Sequence, residues 1–173
     1  FNTGANGQNL TITYASSGDT ATAHVNTYPI TGTAANGSGL VSDYAVNLTN
    51  GTLTVDPATI SYTIPSTSQS YGSPANFVTA LGTTFNTGIN GENLAITYAS
   101  SGDTAAASAG SYAITGTVST GTGLAGDYAV TLNNGTLTVV SVATTFSALT
   151  APTQHYGNAK TTISGHLQTD SGL

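Results

Sequence analysis

The chain has 173 residues, and its single basic residue, Lys160, stands against seven acidic residues to give a formal net charge of −6. Because proteins that bind nucleic acids or anionic membrane surfaces neutralise phosphates with Lys and Arg, this composition excludes both as partners. The chain has no cysteine and no methionine, which excludes disulfides and thiolate metal sites and is typical of an exposed, long-lived extracellular protein. No apolar run is long enough for a membrane helix, so we expect no membrane insertion.

Apolar and polar residues alternate in several segments, and this period of two predicts β-strands. In chain order, the predicted strands are 59–64, 77–81, 94–98, 105–109, 112–114 and 128–132. One turn of helix over 73–80 is the single exception to the strand pattern that we allow.

The dipeptide Asn134-Gly135 predicts a type I′ hairpin turn, because both central residues of that turn need positive φ. A two-residue loop there would pair Leu132 with Leu137 and place both on one face of a sheet. The same dipeptide occurs 84 residues earlier and predicts the same turn.

The sequence repeats itself at an offset of 84 residues. Residues 1–55 align with residues 85–139 without a gap, and 38 of the 55 positions are identical, including the segments TYASSGDT and NGTLTV. A period of 84 exceeds the roughly 20–50 residues of solenoid repeats and suits a small independently folding domain. The predicted organisation is the C-terminal part of a preceding repeat (1–55), a complete repeat (56–139) and the N-terminal part of a following repeat (140–173).

These strands predict an all-β fold. About seven short strands per repeat favour tandem small β-sandwich domains of the Ig-like kind. The alternative is β-grasp-like units with one short helical turn, which applies if the helical turn at 73–80 forms.

Several short motifs recur in a fixed order within the complete repeat. Tyr71-Gly72 stands near its start and returns as Tyr156-Gly157, SGDT follows at 101–104, and NGTLTV closes the repeat at 134–139. This order resembles the MBG-type repeats, which are mostly β and glycine-rich with a YG motif, of large bacterial surface and filamentous adhesin-like proteins. The resemblance implies tandem extracellular domains and no catalytic residues. The third segment departs from the pattern, since it lacks a proline corresponding to Pro74.

The histidines are the first candidates for chemistry, because general acid–base catalysis needs a histidine or a perturbed carboxylate with partners. His24 is replaced by Ser108 in the next copy, and His155 corresponds to Ser70. We therefore interpret His24, His155 and His166 as surface or linker residues. We predict no catalytic, cofactor-binding or metal-binding residues, and the chain is not expected to be an enzyme.

Two aspartate positions recur, as Asp19 and Asp103 and as Asp43 and Asp127. Ca²⁺ takes six to eight oxygen ligands, usually from several carboxylates, whereas these residues lie far apart in the sequence. We expect them to bind nearby backbone N–H groups in turns, and no cofactor is predicted. A Ca²⁺ site between domains is the less favoured alternative.

Three further features bear on surface chemistry. A Lys–Asn isopeptide bond in every repeat is excluded, because the position that corresponds to Lys160 in the complete repeat is Ala75. The recurring tyrosines are predicted to pack their rings in the core, with a sugar-binding surface as the alternative. These are Tyr14 and Tyr98, Tyr28 and Tyr112, Tyr44 and Tyr128, and Tyr71 and Tyr156. Glycosylation at the sequons of Asn9, Asn36, Asn47, Asn50 and Asn134 stays open.

Together these observations predict a structural repeat segment of a long extracellular or cell-surface bacterial protein or filament, with mechanical reach and cohesion from serial β-domains. The expected partners are neighbouring repeats or identical chains, which meet through strand edges. The alternative is an adhesin module that binds glycans or other surface proteins through its loops. Because the two copies match even in their turns, a set of diversified binding loops is less favoured.

Overall fold

The computed structural model describes residues 1–150, 152–157, 160 and 162–169, and the described chain is all-β, as predicted. The strands are β1 Thr11–Ala15, β2 Asn26–Ala35, β3 Gly51–Val55, β4 Ala58–Thr63, β5 Thr67–Ser70, β6 Thr84–Asn86, β7 Asn93–Ala99, β8 Gly110–Ser119, β9 Tyr128–Asn133, β10 Gly135–Val140, β11 Thr144–Ser147 and β12 His166–Thr169. The described residues contain one α-helix, α1 (Phe77–Leu81), and two 3₁₀ turns, at Val41–Asp43 and Ala125–Asp127.

The strands form four sheets, with the orders β1-β2-β3, β5-β10-β8-β7-β6, β4-β9 and β11-β12. The five-stranded sheet is mixed. Strand β10 runs antiparallel to β8, with Leu137 opposite Tyr112, and parallel to β5, with Leu137 opposite Thr67. The chain enters α1 after β5, so the short helical turn on which the β-grasp-like alternative depends is present.

The chain divides into two compact units, each built from several segments. Unit 1 comprises residues 1–62, 84–96 and 118–131, and unit 2 comprises residues 63–83, 97–117 and 132–173.

The core of unit 1 contains the buried residues Leu10, Phe85, Leu94, Ile96 and Tyr128. The rings of Phe85 and Tyr62 stack at a centroid distance of 4.3 Å and an interplanar angle of 18°. In β7, Leu94 and Ile96 alternate with less buried neighbours, which confirms the shared face that the sequence predicted for them.

The core of unit 2 contains the buried residues Ile64, Phe77, Ala107, Ile114, Leu137 and Val139. It also holds a polar side chain, Gln69, which is 6% exposed. The Gln69 Nε2 donates to the carbonyls of Gly102 at 2.8 Å and Thr104 at 3.2 Å, and its Oε1 accepts from the Ala75 N–H at 3.0 Å. These bonds satisfy both ends of the amide, so burying it carries little penalty.

Two of the predicted strands were wrong. Residues 77–81 form α1, because Asn76 caps it by accepting from the Thr79 N–H at 3.1 Å, and Gly82 follows its last residue with φ +81. The helical turn predicted over 73–80 overlaps this helix. Residues 105–109 form turns, in which the Ala107 N–H donates to the Thr104 carbonyl at 3.2 Å.

The hairpin predicted at Asn134-Gly135 was also wrong. Strand β9 pairs with β4, whereas β10 pairs with β8 and β5, and neither residue of the dipeptide has positive φ. The glycine has a different reason to be there. A Cβ on Gly135 would lie 2.6 Å from the Pro65 carbonyl oxygen and 2.7 Å from that of Ile64. The dipeptide thus marks a passage between two sheets where backbones come too close for a side chain.

We expect Gly135→Ala to destabilise the protein by about 1–3 kcal/mol, because the new methyl group overlaps backbone atoms that cannot move aside cheaply. Gly51→Ala is a matched control in the same NGTLTV context, since its Cβ would contact only the Ile30 side chain at 3.5 Å or more. The control should change stability by less than about 1 kcal/mol. Urea unfolding followed by circular dichroism measures both; equal losses would contradict the close approach.

Candidate functional site

The described residues bring a loop of the first sequence copy onto a turn of the second copy, within unit 1. We call this contact the junction, and we define it as residues 21–25, 89–92 and 125–128. The first segment belongs to the loop between β1 and β2. The last contains the 3₁₀ turn Ala125–Asp127 and the first residue of β9.

Asp127 is the centre of the junction. Its Oδ2 lies 2.6 Å from the Nδ1 of His24, and its Oδ1 accepts the backbone N–H of Val25 at 2.9 Å. A third bond runs from the Nδ2 of Asn90 to the carbonyl of Ala21 at 2.9 Å. One carboxylate and one amide therefore hold both ends of the loop.

The two charged partners shift each other's titration. The hydrogen bond from Asp127 raises the pKa of His24 above its ordinary value, and the nearby charges of Asp127 and Glu92 act in the same direction. In return, the hydrogen bond from His24 and then that from the Val25 N–H lower the pKa of Asp127. The His24 side chain is 66% exposed, so this surface ion pair adds little stability and mainly orients the loop.

Tyr128 lies beside Asp127 and ties the junction to the core. Its ring is buried, and its hydroxyl donates to the Oε2 of Glu92 at 2.6 Å. Burial, and then the bond to Glu92, raise the pKa of Tyr128, so it stays a neutral donor. In the first copy, Tyr44 donates in the same way to Gln8, which corresponds to Glu92 at the offset of 84.

A shallow cleft of about 160 Å³ lies at the junction, and His24, Asp56, Glu92 and Asp127 are among its lining residues. In the described ranges, no three His, Asp or Glu side chains form a group that could hold a metal ion. The described hydrogen bond of the His24 ring is to Asp127, and no hydroxyl that could serve as a nucleophile is bonded to it. The arrangement can position a loop, and it offers no acid–base machinery beyond one exposed imidazole.

The other aspartates that the sequence singled out lie in turns. The backbone N–H groups of Asp19 and Asp103 donate to Ser16 and Ser100, each at 3.2 Å, so the SSGDT turn has the same form in both copies. Asp43 accepts from the Ser42 hydroxyl at 3.4 Å. Asp127 differs, because the N–H that it binds is 102 residues away.

The remaining charged candidates are exposed. His155 lies outside the strands, His166 begins β12, and both are exposed, as is Lys160. The structure brings none of them together with His24 in the described contacts.

The tyrosines do not all lie in the core. Tyr28 and Tyr112 donate to carbonyls four residues earlier in the chain, at 2.8 and 2.9 Å. Their rings cover Gly18 and Gly102, where a Cβ would approach a ring atom to 2.4 and 2.5 Å. Tyr14, Tyr71 and Tyr156, in contrast, are exposed. The glycine of the SSGDT turn is therefore needed because a tyrosine ring lies against it.

Sequence reasoning missed the contact between His24 and Asp127. One signal was present, since aspartate occurs at both copies of that position. The partner histidine does not recur, and the two residues are separated by 103 positions, so no local pattern links them.

Comparisons with protein-family models, curated proteins and solved structures found no significant match. The resemblance to MBG-type repeats therefore stays a prediction from the motifs. Within the described residues, no helix has the length and apolar character needed to cross a membrane.

We expect an NMR titration to give His24 a pKa above the ordinary 6.5, and Asp127→Asn to return it towards that value. The contribution of His24 is complete below 6.5 and is lost as the pH rises through the raised pKa. That of Asp127 is complete above 3.8 and is lost as the pH falls through its lowered pKa, so the pair acts between these limits. The same His24 pKa in both proteins would show that the contact does not form in solution.

Proposed function

We propose that the chain is a structural repeat segment of a long extracellular bacterial surface protein or filament, in which serial β-domains give mechanical reach and cohesion. The observation that carries the proposal is the parallel pairing of β5 with β10. These strands lie near the two ends of the segment 56–139, the complete repeat of the sequence.

Parallel pairing determines how tension acts on the repeat. Pulling on the chain draws the start of β5 and the end of β10 in opposite directions, so the two strands are loaded in shear. The bonds between them then share the force, instead of breaking one after another. The pairing runs from Leu137 opposite Thr67 to Val140 opposite Ser70, and the Tyr71 N–H extends it by donating to the Val140 carbonyl at 2.8 Å.

The junction supports a serial arrangement, because half of it does not depend on side-chain identity. Asp127 accepts a backbone N–H from Val25, and the corresponding position in the second copy, Ala109, carries the same donor. His24 corresponds to Ser108, so only the imidazole contact is particular to this pair of copies. This contact uses a loop and a turn, whereas the sequence analysis expected strand edges.

Composition supports the proposed location. Only 5% of the residues are charged, so the surface depends on neutral polar groups and has little Coulomb energy for salt to screen. Together with the absence of cysteine and methionine, this suits a long-lived protein outside the cell or at its surface. Its partners would be neighbouring repeats or identical chains.

An adhesin module is the second candidate, and one observation favours it. Tyr71 of the YG motif is 52% exposed, and the corresponding Tyr156 is also exposed, so an aromatic ring faces solvent at both YG turns. Exposed tyrosine rings can stack on sugars. Binding of the full chain to a glycan array, abolished by Tyr71→Ala, would favour this candidate over a purely structural role.

The mechanical proposal predicts one main force peak when the full chain is pulled from its ends in a single-molecule experiment. Unfolding of 84 residues should release about 30 nm of chain, less the folded length. Tyr71→Pro removes the N–H that bonds Val140 and should speed unfolding at a given force roughly fivefold, the equivalent of about 1 kcal/mol.

Tyr156→Pro is the matched control, since Tyr156 is the corresponding residue of the third segment and lies outside the strands. It should leave the main peak unchanged. Equal effects of the two substitutions, or unfolding without a measurable peak, would refute a load-bearing pairing of β5 with β10.

A further inference from the structure

The sheet β1-β2-β3 has an apolar face that its counterpart in the second copy buries. Phe1 is 51% exposed, whereas Phe85 at the same position of the repeat is 6% exposed. Tyr14 is 73% exposed, whereas Tyr98 is only partly exposed. Cavities of about 390 and 590 Å³ lie against this face. We call it the acceptor face.

Residues 58–81 show what covers this face in the second copy. Tyr62 stacks on Phe85, and the ring of Phe77 meets Tyr98 edge-on at 6.4 Å. The carbonyls of residues 64 and 65 lie over Gly135. The acceptor face offers Phe1, Tyr14 and Gly51 at the corresponding positions, so it fits a segment of this kind.

The acceptor face also has a strand edge of the matching kind. Strand β3 pairs with β2 and is the last strand of its sheet. Its counterpart β10 pairs with β8 on one side and with β5 on the other. In the described chain, β3 therefore lacks the parallel neighbour that β10 has.

The sequence of β5 occurs a second time, outside any strand. Gln69-Ser70-Tyr71-Gly72 returns as Gln154-His155-Tyr156-Gly157 at an offset of 85, and residues 152–157 are exposed. Phe146 and Leu149, just before this segment, are 58% and 63% exposed. The chain thus carries an acceptor face in its first copy and a β5-like segment in its third.

We propose that residues 152–157 of one chain add as a parallel strand to β3 of a second copy of this chain. Gln154 takes the place of Gln69 and donates to the carbonyls of Gly18 and Thr20, which correspond to those of Gly102 and Thr104. Backbone hydrogen bonds along the strand edge supply affinity, and the buried amide sets the register.

This addition is head-to-tail, since the two chains contribute different surfaces. A heterologous contact of this kind extends into open chains unless its rotation closes a ring. The proposal deepens the proposed function, on which it rests, by naming the partner as a second copy and the site as the β3 edge.

Single cysteines test the register, because the chain has none of its own. Thr138 lies opposite Ser68 in the β10–β5 pair, so the corresponding pair between chains is Thr54 and Thr153. Adjacent strands place Cα atoms within the range that a disulfide spans. Mixing T54C with a T153C chain of different mass under mild oxidation should give a cross-linked heterodimer.

T138C mixed with T153C is the matched control, because the edge beside Thr138 already carries β5. The T54C mixture should give roughly tenfold more heterodimer than the control, since strand addition holds its thiols together. Gln154→Ala in the T153C chain should lower that yield. Equal yields from the two mixtures, or a heterodimer in neither, would overturn the proposal.

The two proposals fail separately. The force experiment reports on β5 and β10 within one chain and does not need association. Cross-linking reports on β3 of one chain and residues 152–157 of another. Loss of the cross-link with an intact force peak would refute strand addition alone, whereas loss of the force peak would refute the mechanical role.

Discussion

The complete repeat depends on one interaction, the closure of its last strand by an early one. Strand β5 lies parallel to β10, and Gln69 on β5 crosses to the carbonyls of Gly102 and Thr104. A buried amide without partners would be unfavourable, so β5 must bring Gln69 into register with the SGDT turn. Gly135 at the start of β10 makes closure possible, because only a residue without Cβ fits beneath the carbonyls of residues 64 and 65.

The first copy shows what the same residues do without that closure. Residues 1–55 share 38 identities with residues 85–139, and they form strands with the same antiparallel neighbours. Their apolar face nevertheless stays open, as the contrast between Phe1 and Phe85 shows. Strands and turns therefore follow from local sequence, whereas burial depends on residues that precede them by 20 or more positions in the complete repeat.

This difference explains how far the sequence could be interpreted. Alternation located β7 and β8 and predicted their buried faces, since period two is a local property. It failed at residues 77–81, because five residues with three apolar positions fit a strand or a helical turn equally well, and the cap at Asn76 decided the outcome. It failed at Asn134-Gly135, because an Asn-Gly pair is a strong turn signal even where close backbone approach is the reason for the glycine. The junction could not be predicted, because His24 and Asp127 belong to different copies.

The most direct test of this account is native-state hydrogen exchange at the two backbone amides that hold the opening segment in place. These are the Tyr71 N–H, bonded to the Val140 carbonyl, and the Ile64 N–H, bonded to the Asn133 carbonyl at 2.9 Å. The account predicts that both exchange as slowly as amides in the middle of β8, since opening either requires the repeat to unfold. Exchange of both at the rate of an unstructured peptide, while β8 stays protected, would show that β5 does not close the repeat.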